Sequence, residues 1–212
     1  MRDATARSRG GRPRRDQAGE VERRLLDAAT AMFLAKGFDA TTCEEVVSAA
    51  GAGKASLYAR FENKEALFAA VLRRMAVTPP DAADRWAGAP LVERLRAVGL
   101  AILQDASQPE TAAAMRLIIA AAPRFPEIAR EAGRVGWDSG IARVRLAALA
   151  GPDSPGNVDA LATRFVDLVF PPHQLRLLLG EEPQSLLAEA ASRVDQALSE
   201  LLSDVDTPHI GA

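Results

Sequence analysis

From Glu20 onward the apolar positions recur with the period of a helix. Leu25, Ala29, Met32 and Phe33 share one face at i, i+4, i+7 and i+8, which predicts a helix over 20–36. Gly37 follows its last turn, where a left-handed backbone is wanted. Thr42 and Glu45 have the spacing of a capping box, so a second helix begins after Thr42 and buries Val46, Val47 and Ala50. Gly51 permits a sharp turn, and a short helix over 54–60 turns Leu57 and Phe61 inward. Asn63 is placed to cap a fourth helix, which buries Leu67, Phe68, Val71, Leu72 and Met75 and stops at Pro79-Pro80.

Two prolines and a glycine mark residues 78–89 as a linker. Helical periodicity then returns. Pro90 opens a helix with Leu91, Leu95, Val98 and Ile102 on one face. Pro109 and Pro123 bracket a shorter apolar helix, and Pro126 with Glu127 suits the first turn of the next. A loop at 151–157 precedes a helix carrying Leu161, Phe165, Leu168 and Val169, which Pro171-Pro172 is expected to disturb. The last helix carries Leu186, Leu187, Ala190, Val194, Leu198, Leu201 and Leu202. No strand alternation and no internal repeat occurs.

Composition narrows the picture. Alanine and leucine dominate, and Tyr58 is the only tyrosine, which disfavours a β-sandwich or barrel. Lys and Arg outnumber Asp and Glu by 14 to 10 over residues 1–75, and are outnumbered 12 to 18 over 76–212. A basic front on an acidic back suits a chain that meets nucleic acid with one end. Residues 1–19 hold six arginines among Gly, Ser and Thr, a segment expected to be flexible. It serves either as a solubilising tail or as an arm that adds phosphate or minor-groove contacts. No apolar run is long enough for a membrane span, and Cys43, the only cysteine, has no disulfide partner within the chain. A cytoplasmic location is expected. Two histidines, His173 and His209, are too few for a histidine-rich metal site, and Gly51, Gly53 and Lys54 lack the strand that precedes a phosphate loop. No cofactor, metal or catalytic group is therefore expected, and the chain does not read as an enzyme.

The segment from Thr41 to Lys64, TTCEEVVSAAGAGKASLYARFENK, joins two short helices at a glycine turn, the build of a helix-turn-helix. Lys54, Ala55 and Ser56 are outward, and Ala55 and Ser56 are short enough to let that helix sit deep in a major groove. The run from Leu25 through Leu72, with LLDAATAMFLAKGFDATT, AAGAGKASLYARF and NKEALF as its matching features, resembles the DNA-binding domain of the TetR family of transcriptional regulators. The resemblance implies that Thr42 contacts a phosphate, that Lys54, Ala55 and Ser56 face base edges, and that Tyr58, Arg60 and Lys64 bind phosphates. Gly53 stands where the family often has a capping serine, and Cys43 where it usually has an aliphatic residue. Against these stand blander roles: Tyr58 as a half-buried core residue, Cys43 as a small hydrophobe in the core rather than a redox switch, and Arg73 and Arg74 as a solvated helix face.

Residues 115–130, MRLIIAAAPRFPEIAR, look like the C-terminal domain of the AefR-like branch of that family, although the acidic residue this branch often carries near Ala121 is missing. The resemblance implies a small-molecule site between helices and dimerisation through the last two helices. The long one-sided helices at 161–179 and 186–202 suit a four-helix bundle between two copies. Candidate ligand contacts are Ile102, Met115, Ile119, Phe125, Trp137, Phe165, Val169 and His173, each also suited to plain core. Gly133, Gly136 and Gly140 form a stripe flanking Trp137 that either admits another helix or leaves room for a ligand. His173, beside the double proline, either meets a ligand or satisfies nearby backbone groups.

The expectation is an all-α chain of about nine helices. A flexible basic arm (1–19) precedes an N-terminal three-helix helix-turn-helix domain, closed by a fourth helix (20–77). A linker (78–89) leads to a larger ligand-binding and dimerisation domain (90–205). The expected partners are a double-stranded operator of inverted-repeat form, a small and mostly apolar effector that releases it, and a second copy of the chain. The rival is an effector-binding protein with a vestigial DNA-binding domain; a small-molecule-modifying enzyme is more distant.

Overall fold

The computed structural model describes residues 15–76 and 88–205. The described residues form nine α-helices and no strand: α1 (Arg15–Ala40), α2 (Cys43–Ala49), α3 (Lys54–Tyr58), α4 (Lys64–Ala76), α5 (Leu91–Ala106), α6 (Pro109–Ala121), α7 (Pro126–Leu149), α8 (Val158–Leu178) and α9 (Pro183–Val205). Two compact units divide between Val71 and Leu72, inside α4.

In the first unit α1 begins at Arg15, five residues ahead of the expected start, so residues 15–19 of the expected arm are helical. Asp16, Gln17 and Ala18 do not break a helix, and Arg23 pairs with both Glu20 and Asp27 one turn away on either side. Residues 1–14 and the Pro79-Pro80 stop lie outside the described residues. The helix kinks at Gly37, whose φ of 76° only glycine adopts freely. The kink turns Phe38 back beside Phe33 and Phe68, with Phe68 edge-on to both at 4.9 and 5.0 Å between ring centres. Leu25, Ala29, Val46, Leu57, Phe61 and Leu67 complete this core, all buried as their spacing predicts.

In the second unit α5, α7, α8 and α9 share one core, built on residues such as Leu95, Val98, Val144, Phe165, Val169 and Val194. A Cβ at Gly99 would lie 2.7 Å from the Phe165 ring, so α5 and α8 meet where one of them has no side chain. Helix α8 runs unbroken through Pro171-Pro172, contrary to the expected disturbance. The two rings remove amide donors, but Leu161, Phe165, Val169, His173 and Leu177 form an i, i+4 row that is wholly buried. Packing of that row outweighs the lost backbone bonds.

The largest fully buried side chain is Arg94 on α5, and no periodicity argument singles it out. Its Nε donates to the Ala147 carbonyl at 2.7 Å, its Nη2 to Ala148 at 3.1 Å, and its Nη1 to Ala89 and to the Asp153 carboxylate at 2.7 Å. It thus adds a charged donor to carbonyls at the end of α7, which also accept the Ala150 amide and the Ser154 hydroxyl. Asp153 also accepts the Leu91 amide, at the start of α5. A Cβ at Gly151 would fall 2.2 Å from Arg94 Nη1, which reserves that position for glycine. Replacing Arg94 with Met should lower stability by about 3–5 kcal/mol, because the carboxylate and carbonyls lose a buried charged partner. The shift in urea midpoint measures this; a midpoint within error of the parent would mean that the carbonyls find other donors.

Candidate nucleic-acid interface and small-molecule cavity

Helices α2 and α3 meet at the turn Ala50–Gly53. Gly51 takes φ 57°, and the Arg24 guanidinium on α1 donates to the Ala50 carbonyl at 3.0 Å, tying the turn to α1. Thr42 and Glu45 form the full capping box: the Thr42 hydroxyl accepts the Glu45 amide, and the Glu45 carboxylate accepts the Thr42 amide at 3.0 Å. Lys36 reinforces it with an ion pair to Glu45. That ammonium, with the Thr42 amide and hydroxyl, holds the Glu45 carboxyl down to about 2. Gly53 begins α3 without any side-chain cap, and Asn63 caps α4 by accepting the Ala66 amide at 2.7 Å.

Thr42, Lys54, Ala55 and Tyr58 are exposed, while Ser56 and Arg60 are half-buried. The Tyr58 hydroxyl is pushed above the usual tyrosine range, first by the neighbouring Cys43, so it remains a proton donor. Cys43 itself is half-buried at the first position of α2, not in the core as its small apolar side chain suggested. Arg60 folds back on its own helix to the Ser56 carbonyl at 2.8 Å. Lys64 donates to the Phe38 and Thr41 carbonyls, both at 2.9 Å, and its ammonium sits 4.3 Å from the Phe38 ring centre. With a third, longer contact of 3.5 Å to the Asp39 carbonyl, its three N–H groups all meet backbone acceptors, and it closes the end of α1. Glu44, not singled out in the sequence, forms an ion pair with Lys54 at 2.8 Å on the exposed face. Its (i, i+10) separation across a turn gives no periodic signal.

The second unit holds a cavity of about 510 Å³ among α5, α6, α7 and α8, reached also by Met75 and Ala76 at the end of α4. Ile102, Met115 and Trp137 line it, as does the stripe Gly133, Gly136 and Gly140. The other five candidates lie elsewhere. Phe165 and Val169 pack in the buried core, whereas their neighbours Val166 and Phe170 face the cavity: one residue along a helix turns the side chain by about 100°. For the same reason Ile118 lines it while Ile119 is exposed. Phe125 is the N-cap residue of α7, 5.1 Å from the Arg124 guanidinium. His173 is fully buried, its Nε2 2.7 Å from the Ser107 hydroxyl. That hydroxyl donates to the Leu103 carbonyl, so the imidazole places its proton on Nε2 and donates to Ser107. Burial, then Arg193 and Arg176, depress its pKa and keep it neutral. Trp137 stands edge-on to Phe170 at 5.7 Å, and Arg143, almost wholly buried, reaches Asp105 at 2.8 Å beside the cavity. Among the described residues no cluster has the makings of a metal site.

Residues 25–71 match the family model of bacterial regulatory proteins of the tetR family. Residues 93–203, just over half the chain, match that of the AefR-like transcriptional repressor C-terminal domain. The chain is 49% identical over 49 residues to the HTH-type transcriptional repressor ComR of Escherichia coli (strain K12), covering 23% of each chain. It is 40% identical over 63 residues to the HTH-type transcriptional repressor KstR2 of Rhodococcus jostii (strain RHA1), covering 29% of this chain and 31% of that one. These matches span less than a third of either relative. Among solved structures, the flavonoid-responsive regulator FrrA superposes with a TM-score of 0.65 at 26% identity, over 88% of this chain and 97% of that one. A TetR transcriptional regulator from Agrobacterium tumefaciens does so with a TM-score of 0.62 at 25% identity, over 84% and 93%.

Glu45 carries a pH signature. Its carboxyl titrates near 2 in the folded chain against 4.5 when unperturbed, so its bonds stabilise the fold above about pH 4.5 and are lost as pH falls toward 2. The melting temperature of the parent should exceed that of Glu45→Gln at pH 7, and the gap should close steadily below pH 4.5. A gap that stays constant to pH 2.5 would mean the carboxylate is not held ionised.

Proposed function

The chain belongs to the TetR family of transcriptional regulators, and from that premise we infer that it is a repressor, acting as a homodimer on an inverted-repeat operator and released by a small effector. The observation that carries this reading is the α2–turn–α3 unit, braced by a full capping box and by Arg24, with Lys54, Ala55 and Tyr58 exposed on it. Lys54, Ala55 and Ser56 read base edges, and Thr42, Tyr58, Arg60 and Lys64 hold phosphates. Residues 1–14 add contacts as a basic arm. None of the described helices is long and apolar enough to cross a membrane, and operator binding places the protein in the cytoplasm.

Dimerisation proceeds through α8 and α9. Leu175 in the last turn of α8 and Leu179, its C-cap residue, are 59% and 78% exposed, an apolar surface that a second copy would cover. The effector occupies the cavity of the second unit, contacted by Ile102, Met115 and Trp137. The name of the flavonoid-responsive FrrA makes an aromatic effector a fair model. Because α4 runs from Lys64 to Ala76, a ligand against Met75 and Ala76 touches the helix whose first residue, Lys64, is fastened to the end of α1. A ligand preferring the DNA-incompetent state about 100-fold shifts the balance by about 2.7 kcal/mol.

Selection of purified protein on fragmented genomic DNA should enrich one inverted repeat, with affinity falling steeply as salt rises. No enrichment at low salt, from protein refolded free of bound ligand, would refute the reading. On the selected site, Lys54→Ala should alter sequence preference, and Tyr58→Phe should weaken all sequences alike. Glu44→Gln should tighten binding to every sequence a few-fold, about 0.5–1 kcal/mol, because it frees Lys54 and removes a like charge from the DNA-facing side. Equal loss across sequences for Lys54→Ala would remove its base-reading role, and unchanged affinity for Glu44→Gln would mean that the pair persists on DNA.

A further inference from the structure

We propose that the cavity takes a neutral, flat aromatic molecule whose hydroxyl docks on the Asp105–Arg143 pair. The proposal rests on the cavity being the effector site and adds to an aromatic effector its neutral charge and the residues on which its hydroxyl docks.

The charge of the lining argues against an anionic ligand. Its charged members are Asp105, Arg143, Arg134 and Asp138, which pair as Arg143–Asp105 at 2.8 Å and Arg134–Asp138 at 3.4 Å, leaving no net charge. The Arg143 side chain is only 4% exposed, whereas Asp105 is 48% exposed. The accessible half of the pair is therefore a carboxylate, which accepts from a hydroxyl and repels an anion. A carboxylate ligand would have to displace Asp105 from a buried guanidinium.

The shape of the lining favours a flat ring system. Gly133, Gly136 and Gly140 lie inside α7, where glycine is less stable than alanine. None has the positive φ that would require glycine. Packing does not require it either: a Cβ at Gly133 would meet nothing within 4 Å, at Gly136 its nearest neighbour would be 3.5 Å away, and at Gly140 3.8 Å, all ordinary or open spacing. The fold loses helix stability at these positions with no packing return. What the missing methyls preserve is cavity volume against bare backbone, next to the Trp137–Phe170 pair. A planar aromatic lies against such a surface and presents its edges or faces to both rings.

Three probes separate charge from shape: 2-naphthol, 2-naphthoate and 1-decanol. Binding is read as quenching of Trp137 in a Trp86→Phe background, since these are the only two tryptophans. The parent should bind 2-naphthol at least tenfold more tightly than either other probe. Asp105→Asn should reverse the order of 2-naphthol and 2-naphthoate by unmasking Arg143. Gly133→Ala/Gly136→Ala should raise the melting temperature yet weaken 2-naphthol binding several-fold, the opposite of what glycines needed for packing would do. Equal or tighter binding of 2-naphthoate or 1-decanol to the parent, an unchanged order in Asp105→Asn, or no binding of any probe would overturn the assignment. So would a double variant that melts lower. If the binding results hold but 2-naphthol leaves affinity for the selected operator unchanged, the ligand class stands and the effector role of the cavity falls. If the operator is found and 1-decanol wins, the ligand class alone falls.

Discussion

The second unit depends on one buried cation. Arg94 contributes from α5 a guanidinium with no access to water, and each of its donors meets an acceptor: the carbonyls of Ala147 and Ala148 at the end of α7, that of Ala89, and the carboxylate of Asp153. A buried charge of this kind persists only where its donors are matched. The match sets the start of α5 against the end of α7. Ile102 and Asp105 on α5, and Gly136, Trp137 and Arg143 on α7, are thereby held on two helices that are tied at one end and line the cavity further along.

Electrostatics does similar work in the first unit, at exposed positions. Four of the groups that the family resemblance assigns to DNA are already engaged within the protein: Thr42 in the capping box, Lys54 with Glu44, Arg60 with its own helix, Lys64 with the end of α1. Exposed pairs of this type contribute little to stability and exchange readily for a stronger partner. The same contacts orient the side chains before any phosphate arrives, which lowers the ordering cost of binding. Lys64 also opens α4, the helix that continues into the second unit.

What the chain determined by itself is what depends on local physics. Helix period, proline and glycine punctuation, the Thr42–Glu45 spacing and Asn63 were enough to place the helices, the turn at Gly51 and the buried faces of α1 to α5, α8 and α9. Each of these rests on contacts within a few residues. The helix-turn-helix surface was legible for the same reason, since Lys54, Ala55 and Tyr58 are exposed wherever Leu57 and Phe61 are buried. Only tertiary structure decided the rest. A buried helix has apolar residues on more than one side, so sequence could not tell that Val166 and Phe170 face the cavity while Phe165 and Val169 face the core. Nor could it show that α8 passes through two prolines, because the energy that holds it comes from neighbouring helices. Arg94, Asp105, Arg143 and Glu44 carried no signal, because their partners lie far along the chain or across a turn, and a charged residue reads as solvated until the fold brings its partner to it.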